Sequence, residues 1–240
     1  MAIKISLEEL IKSSAHFGHR KKRWNPKMDE FIHGEDGGVH VFDLIKTKEY
    51  LEEALKFLTK VSKEGKKIAF VGTKKQAREK VREVARETES FYVTERWLGG
   101  TLTNYDQILK SIRKLAEMKQ KREDGEYKTF TKKERVLIDR EIDRLERFFG
   151  GLSGLEEKPD VLVIVDVKRE VGAAKEAQKE GLQTVGLVDS NSDPDLVDYA
   201  VPMNDDASKA ISYVLDLMGE AILEGKKSAG KVKVAKKKDD

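Results

Sequence analysis

Five consecutive aliphatic residues, Val161-Leu162-Val163-Ile164-Val165, constrain this chain more than any other stretch. The run is far too short to span a bilayer, and a strand apolar on both faces must be covered on both faces. The rest of the chain supplies that cover. Lys67-Ile68-Ala69-Phe70-Val71-Gly72 and Thr184-Val185-Gly186-Leu187-Val188 read as strands of the same buried type. Phe91-Tyr92-Val93 and Ala200-Val201-Pro202 are shorter strands, and helical periods lie at 74–88, 170–180 and 206–223. In these helices apolar residues step by three or four: Ala77, Val81, Val84 and Ala85 in the first, Ala210, Ile211, Val214, Leu215, Met218 and Ile222 in the last. Strands alternating with such helices predict a mainly parallel sheet of four or five strands, an α/β layer of flavodoxin-like or Rossmann-like form. Upstream, the pattern predicts a short amphipathic helix over 5–13 with Ile5, Leu7, Leu10 and Ile11 as its apolar set, a strand over 38–43, and a helix over 46–63. That last helix carries Tyr50, Leu51, Ala54, Leu55, Leu58 and Val61 on one stripe. Residues 15–28 hold Gly18 and Pro26, show no period and read as an ordered loop.

The alternation breaks for about fifty residues after Arg96-Trp97-Leu98-Gly99-Gly100-Thr101-Leu102-Thr103-Asn104. The paired glycines mark a tight turn, and Thr103 or Asn104 suits the cap of a following helix. Tyr105, Ile108, Ile112 and Leu115 then step at helical spacing, as do Ile138, Ile142, Leu145 and Phe149, with Asp124-Gly125-Glu126 as a turn between. Thin stripes and heavy charge predict an antiparallel coiled-coil hairpin inserted at 104–149. The α/β domain is then discontinuous, 1–103 with 150–225. Residues 226–240, mostly Lys, Ala, Gly and Ser, read as a disordered basic tail.

Charged residues make up 38% of the chain, against about 25% in ordinary proteins. The net charge is only +3, so the distribution matters more than the sum. Arg20-Lys21-Lys22-Arg23 with Lys27 form one basic block, and the tail lysines form another. The chain has no cysteine, which excludes disulfides and thiolate zinc sites. Met1 to Leu10 lacks the apolar core of a signal peptide, so a cytoplasmic protein is expected.

A phosphate-cradling loop is missing. No Gly-x-Gly-x-x-Gly follows the first strand, and Gly72-Thr73-Lys74-Lys75 lacks the spacing of a Walker loop. Asp189-Ser190-Asn191-Ser192-Asp193-Pro194 opens like a calcium loop, but Pro194 and Ala200 stand where Gly and Glu are needed. No nucleophile constellation is present, so no catalytic residue is assigned. Asn204-Asp205-Asp206 reads first as a cap for the last helix. The alternative is a divalent site, zinc or magnesium, from Asp189, Asp205 or Asp206 with His16 or His19. The remaining signal is cation beside aromatic on loops: Arg20 to Arg23 with Trp24, and Arg96 with Trp97. With Lys27, Lys74, Lys75, Lys168 and Arg169, these pairs point to nucleic acid met through phosphate and stacking. Either tryptophan alone fits a core anchor equally well. The rival reading is a small-molecule-binding α/β enzyme using the strand-end loops near Gly72 and Asp189.

Five ordered blocks narrow the choice. Ala15-His16-Phe17-Gly18-His19 with Arg23 to Met28, Phe70 to Ala77, Arg96 to Asn104, Val188 to Pro194 and Pro202 to Ala207 resemble, in order and spacing, the bacterial small-subunit ribosomal protein S2 family. Ser190 is a small departure, since relatives more often carry threonine there. The resemblance implies a five-stranded parallel α/β domain with a coiled-coil hairpin and a structural, non-enzymatic role. It implies contact with 16S ribosomal RNA near the head–body junction, on the solvent side of the small subunit. The partners implied are other small-subunit proteins, especially ribosomal protein S1, with no membrane or DNA. No cofactor is required by this reading, although a divalent ion is associated with the family's equivalents of Asp189, Asp205 and Asp206.

Overall fold

The computed structural model describes residues 3–236. In chain order its main elements are α1 (Leu7–Lys12), β1 (Phe17–Arg20), β2 (Ile32–Asp36), β3 (Val39–Phe42), α2 (Leu44–Lys63), β4 (Ile68–Val71), α3 (Arg78–Glu87) and β5 (Phe91–Val93). There follow α4 (Tyr105–Glu123), α5 (Lys132–Phe149), β6 (Val161–Val165), α6 (Val171–Glu180), β7 (Gln183–Val188), β8 (Tyr199–Pro202) and α7 (Ser208–Lys236). Five strands form a parallel sheet in the order β5-β4-β6-β7-β8, the doubly wound arrangement expected. β6 lies at its centre and every one of its residues is buried. Each such aliphatic side chain stabilises the fold by about 1.5–3 kcal/mol relative to an exposed one.

The faces are covered as the periodicity predicts. Leu51, Leu58, Val81, Val214 and Met218 from α2, α3 and α7 join Phe70, Val163 and Leu187 on one face. Ala173, Ala174 and Ala177 from α6 meet Ala69, Leu162 and Ile164 on the other. Local chemistry sets the ends. Asp43 caps α2, its carboxylate accepting from Ile45 N at 2.9 Å, and α6 stops at Gly181, which takes φ +69.

Three expectations are corrected. The segment 15–28 is not all loop, because Phe17–Arg20 is a strand. It pairs antiparallel with β3, whose other edge takes β2, in a separate three-stranded sheet. The strand expected at 38–43 therefore belongs to this small sheet and not to the parallel one. Gly37 (φ +57) and Gly38 (φ +82) make the two-residue turn joining β2 to β3. Second, the short N-terminal helix buries Leu10, with Ile5 just before it, while Leu7 and Ile11 face outward. Third, the last helix does not stop near 223. It continues to Lys236, so the tail read as disordered from 226 is helical that far; residues 237–240 lie outside the described residues. Gly225 is not a helix stop but a close approach: a Cβ there would sit 2.4 Å from the Thr59 carbonyl of α2.

α4 and α5 are joined by residues 124–131, which include a 3-10 turn at Glu126–Thr129, and pack as a helical hairpin. Ile108, Ile112 and Leu115 meet Ile142, Leu145 and Phe149 along the seam. Thr131 and Glu134 form a reciprocal capping box at the start of α5. The seam continues into Val93, Leu152 and Leu155, which ties the hairpin to the edge strand β5.

Candidate nucleic-acid interface and carboxylate cluster

All five parallel strands end on one edge, and their following loops bring Thr73 to Lys75, Thr94 to Trp97, Asp166 to Glu170, Asp189 to Ser192 and Met203 to Asp206 together there. The small sheet is pinned to the same edge. Ser190 Oγ accepts the His19 amide at 2.7 Å, and the Asn25 amide donates to the Ser190 carbonyl at 2.7 Å. Gly18 is required at this contact, because a Cβ would lie 2.7 Å from Ser190 Oγ. These bonds place the basic block of residues 20–27 beside the strand ends.

At the centre of the edge lies a charge cluster. Lys74, expected to be an open cation, is buried and its Nζ lies 2.7 Å from Asp205 Oδ1, 3.1 Å from Asp166 Oδ2 and 2.5 Å from Asp206 Oδ1. Burial works against the Lys74 ammonium, but Asp205, Asp206 and Asp166 outweigh it and hold its pKa above the lysine range. The Asp205 carboxyl is pushed up, first by burial and then by the charges of Asp189 and Asp166, with Lys74 opposing. For Asp206 burial is overcome by Lys74, and its pKa falls. His19 Nδ1 sits 2.9 Å from Asp189 Oδ1 and Nε2 3.5 Å from Asp206 Oδ2. The bond to Asp189 dominates and raises the His19 pKa despite burial. Next to the cluster, Thr73 donates to the buried Glu170 carboxylate through its amide at 3.2 Å and through its hydroxyl. Asp166 holds its place at φ +63, accepting the Arg169 amide at 2.9 Å.

The predicted site residues therefore divide. Asp189, Asp205, Asp206 and His19 converge. Among the described residues one ligand atom each from His19, Asp189 and Asp206 lies within 4.8 Å of the others. His16 does not join them; it lies just before β1 against the Phe17 ring, and its Nδ1 has no hydrogen-bond partner among the described residues. The cap reading of Asn204 to Asp206 is replaced, since Asp205 and Asp206 turn to Lys74. Of the cations, Lys74 is spent in the cluster, Lys27 pairs with Asp193 and Asp195, and Lys21 pairs with Glu35. Arg169 bonds Thr73 Oγ1 at 3.0 Å. Arg20, Lys22, Arg23, Lys75, Arg96 and Lys168 are exposed and form no ion pair among the described residues.

Trp97 is half-buried, packs on two cores and donates through Nε1 to Glu176 Oε1 at 3.2 Å. Trp24 is half-buried against His40, ring centroids 5.1 Å apart. Sequence reasoning missed Glu176. It also accepts the amides of Gly100 at 2.8 Å, Leu102 at 2.9 Å and Thr103 at 3.2 Å, so the stretch Trp97 to Thr103 folds around its carboxylate. Asn104 stands at the start of α4 without a side-chain cap bond. Asp166 and Glu170 were missed as well, though Asp166 directly follows the most apolar run of the chain, where strand-end chemistry belongs.

The geometry defines a doubly wound α/β protein whose strand-end crevice is closed by its own ion pairs and whose rim carries cations unpaired among the described residues. A family model described as Ribosomal protein S2 matches residues 10–225, and the chain belongs to that family. Its role is accordingly structural, in the small ribosomal subunit and in translation. Among the described residues no helix is long and apolar enough to cross a membrane.

Proposed function

We propose that the protein binds 16S ribosomal RNA near the head–body junction, on the solvent side of the small subunit, and supports the docking of ribosomal protein S1. The observation that carries the RNA contact is the rim of cations without carboxylate partners among the described residues: Arg20, Lys22, Arg23, Lys75, Arg96 and Lys168. Such groups gain by neutralising phosphates, while the rigid sheet edge holds their spacing. Lys21, Lys27 and Arg169 join only by exchanging an internal partner for a phosphate. Lys74 is withdrawn from the interface and helps to position it. The same closure speaks against the enzyme reading. A ligand of a doubly wound sheet enters where strand order reverses, here between β4 and β6, and Lys74–Asp166 and Thr73–Glu170 fill that place. The protein then acts in the cytoplasm, within the ribosome, without catalysis.

The triple change Arg20→Gln, Lys22→Gln, Arg23→Gln tests the contact. Mixed with wild type during subunit assembly, the variant should be under-represented in the small-subunit fraction while its unfolding midpoint is unchanged. Equal incorporation would remove this block from the interface.

A divalent ion fits the neighbouring cluster. The buried Asp205 Oδ2 has no partner among the described residues, and the His19, Asp189 and Asp206 donors match the nitrogen–oxygen set that zinc accepts. Magnesium prefers oxygen ligands throughout and suits the histidine less. Elemental analysis of purified protein should find about one zinc per chain, lost in Asp189→Ala. No ion in either sample would end this reading.

A further inference from the structure

Where the hairpin meets the α/β domain, beside the start of the Thr94–Trp97 loop, α3, β5 and the end of α5 form a cleft of about 190 Å³ that is lined by none of the six rim cations. Three arginines line it, Arg82, Arg86 and Arg147, together with the rings of Tyr92 and Phe148. We propose that this cleft is a separate phosphodiester-binding notch for ribosomal RNA, a proposal that rests on the RNA-binding reading above.

The notch is built into the fold. Arg82 and Arg86 are four residues apart on α3 and so share a face. Arg147 reaches that face because the chain after α5 lies hard against β5. A Cβ on Gly151 would come within 2.2 Å of the Tyr92 carbonyl, so only glycine permits the approach.

The charge is out of balance. Arg82 is oriented by two bonds, Nε to Thr94 Oγ1 at 2.9 Å and Nη2 to Glu95 Oε1 at 3.2 Å. Glu146, the one acid in the lining, is engaged by Lys119 at 2.5 Å. Arg86 and Arg147 are exposed and have no ion pair among the described residues. Arg82 and Arg86, four apart on α3, repel each other, and among the described residues no carboxylate pairs with Arg86 or Arg147. A bound anion would.

Size and chemistry select the anion. The volume falls below the roughly 300–1,000 Å³ of small-molecule pockets, so a phosphate presented by a chain fits better than a whole free nucleotide. Guanidinium forks match phosphate oxygens two at a time, which a lysine cannot do. The Tyr92 and Phe148 rings give an adjoining wall for a sugar or base.

The test uses the full chain and small-subunit particles stripped of this protein, with affinity followed across a salt series. Wild type is compared with Arg86→Gln/Arg147→Gln, which leaves the oriented Arg82 in place, and with Lys56→Gln/Lys60→Gln on α2 as a control of equal charge change. Thermal unfolding is recorded for all three. The notch predicts that the arginine pair weakens binding and flattens the log–log salt slope by roughly 1.4–1.8, two phosphates' worth. The control should leave the slope near that of wild type, with unfolding unchanged in both. An arginine variant that binds with the wild-type slope overturns the notch but leaves the strand-end interface standing. An equal fall in the control overturns it too, as a general field effect. Wild-type protein that does not bind the particles overturns the RNA reading itself, and the notch with it.

Discussion

At the scale of single residues, Glu176 does more than its place in an ordinary amphipathic helix suggests. Its carboxylate receives three backbone amides and the Trp97 indole, and these bonds hold its pKa below the usual glutamate range although burial opposes them. Glu176→Ala strips those amides of their acceptor and should cost about 1–3 kcal/mol, toward the lower end because water reaches Thr103. A group with a lowered folded-state pKa contributes fully above its unfolded value, about 4.3, and the contribution fades as pH falls through the folded value. Urea unfolding of wild type and Glu176→Ala should therefore show a clear gap at pH 7 that narrows toward pH 3. A gap independent of pH would mean that the carboxylate charge is not what holds the loop. The sequence alone left Trp97 divided between core and surface, and the reason is visible here. Its partner lies on α6, 79 residues away. Lys74 and Asp205 are 131 residues apart, and local chemistry cannot announce such a pair.

Among the elements, legibility followed apolar content. β4, β6 and β7 are buried on both faces and read directly as apolar runs. β2 was invisible, since Ile32-His33-Gly34-Glu35-Asp36 has one aliphatic residue and mostly faces solvent; only Gly37-Gly38 marked its turn. α7 was cut short because Gly225 and the lysines after it resemble a helix end, whereas the glycine serves contact with α2. Gly225→Ala sets two effects against each other. Helix propensity favours alanine by about 1 kcal/mol. Forcing a methyl to within 2.4 Å of the Thr59 carbonyl and 2.8 Å of Ser62 Cβ costs about 1–3 kcal/mol. Overpacking should win, lowering the thermal midpoint; a raised midpoint would show that α7 shifts freely on α2. In the hairpin, Leu115 is almost wholly buried, and Leu115→Ala should cost about 2–5 kcal/mol. Because that seam runs into Val93 and Leu152, the loss should appear in a single transition of the whole protein. Separate melting of the hairpin would break that link.

At the scale of the molecule, a fold that elsewhere hosts nucleotide chemistry has its crevice shut by internal salt bridges, and the cations left unpaired among the described residues are set around the rim. Binding built this way is electrostatic, so log affinity should fall linearly with log salt, by roughly 0.7–0.9 per phosphate neutralised. Co-sedimentation of the full chain with small ribosomal subunits over a salt series tests that claim most directly. The protein should travel with the subunits at low salt and be released progressively as salt rises, with the steep slope that several phosphate contacts require. A chain that never enters the subunit fraction, or stays there with no dependence on salt, would contradict it.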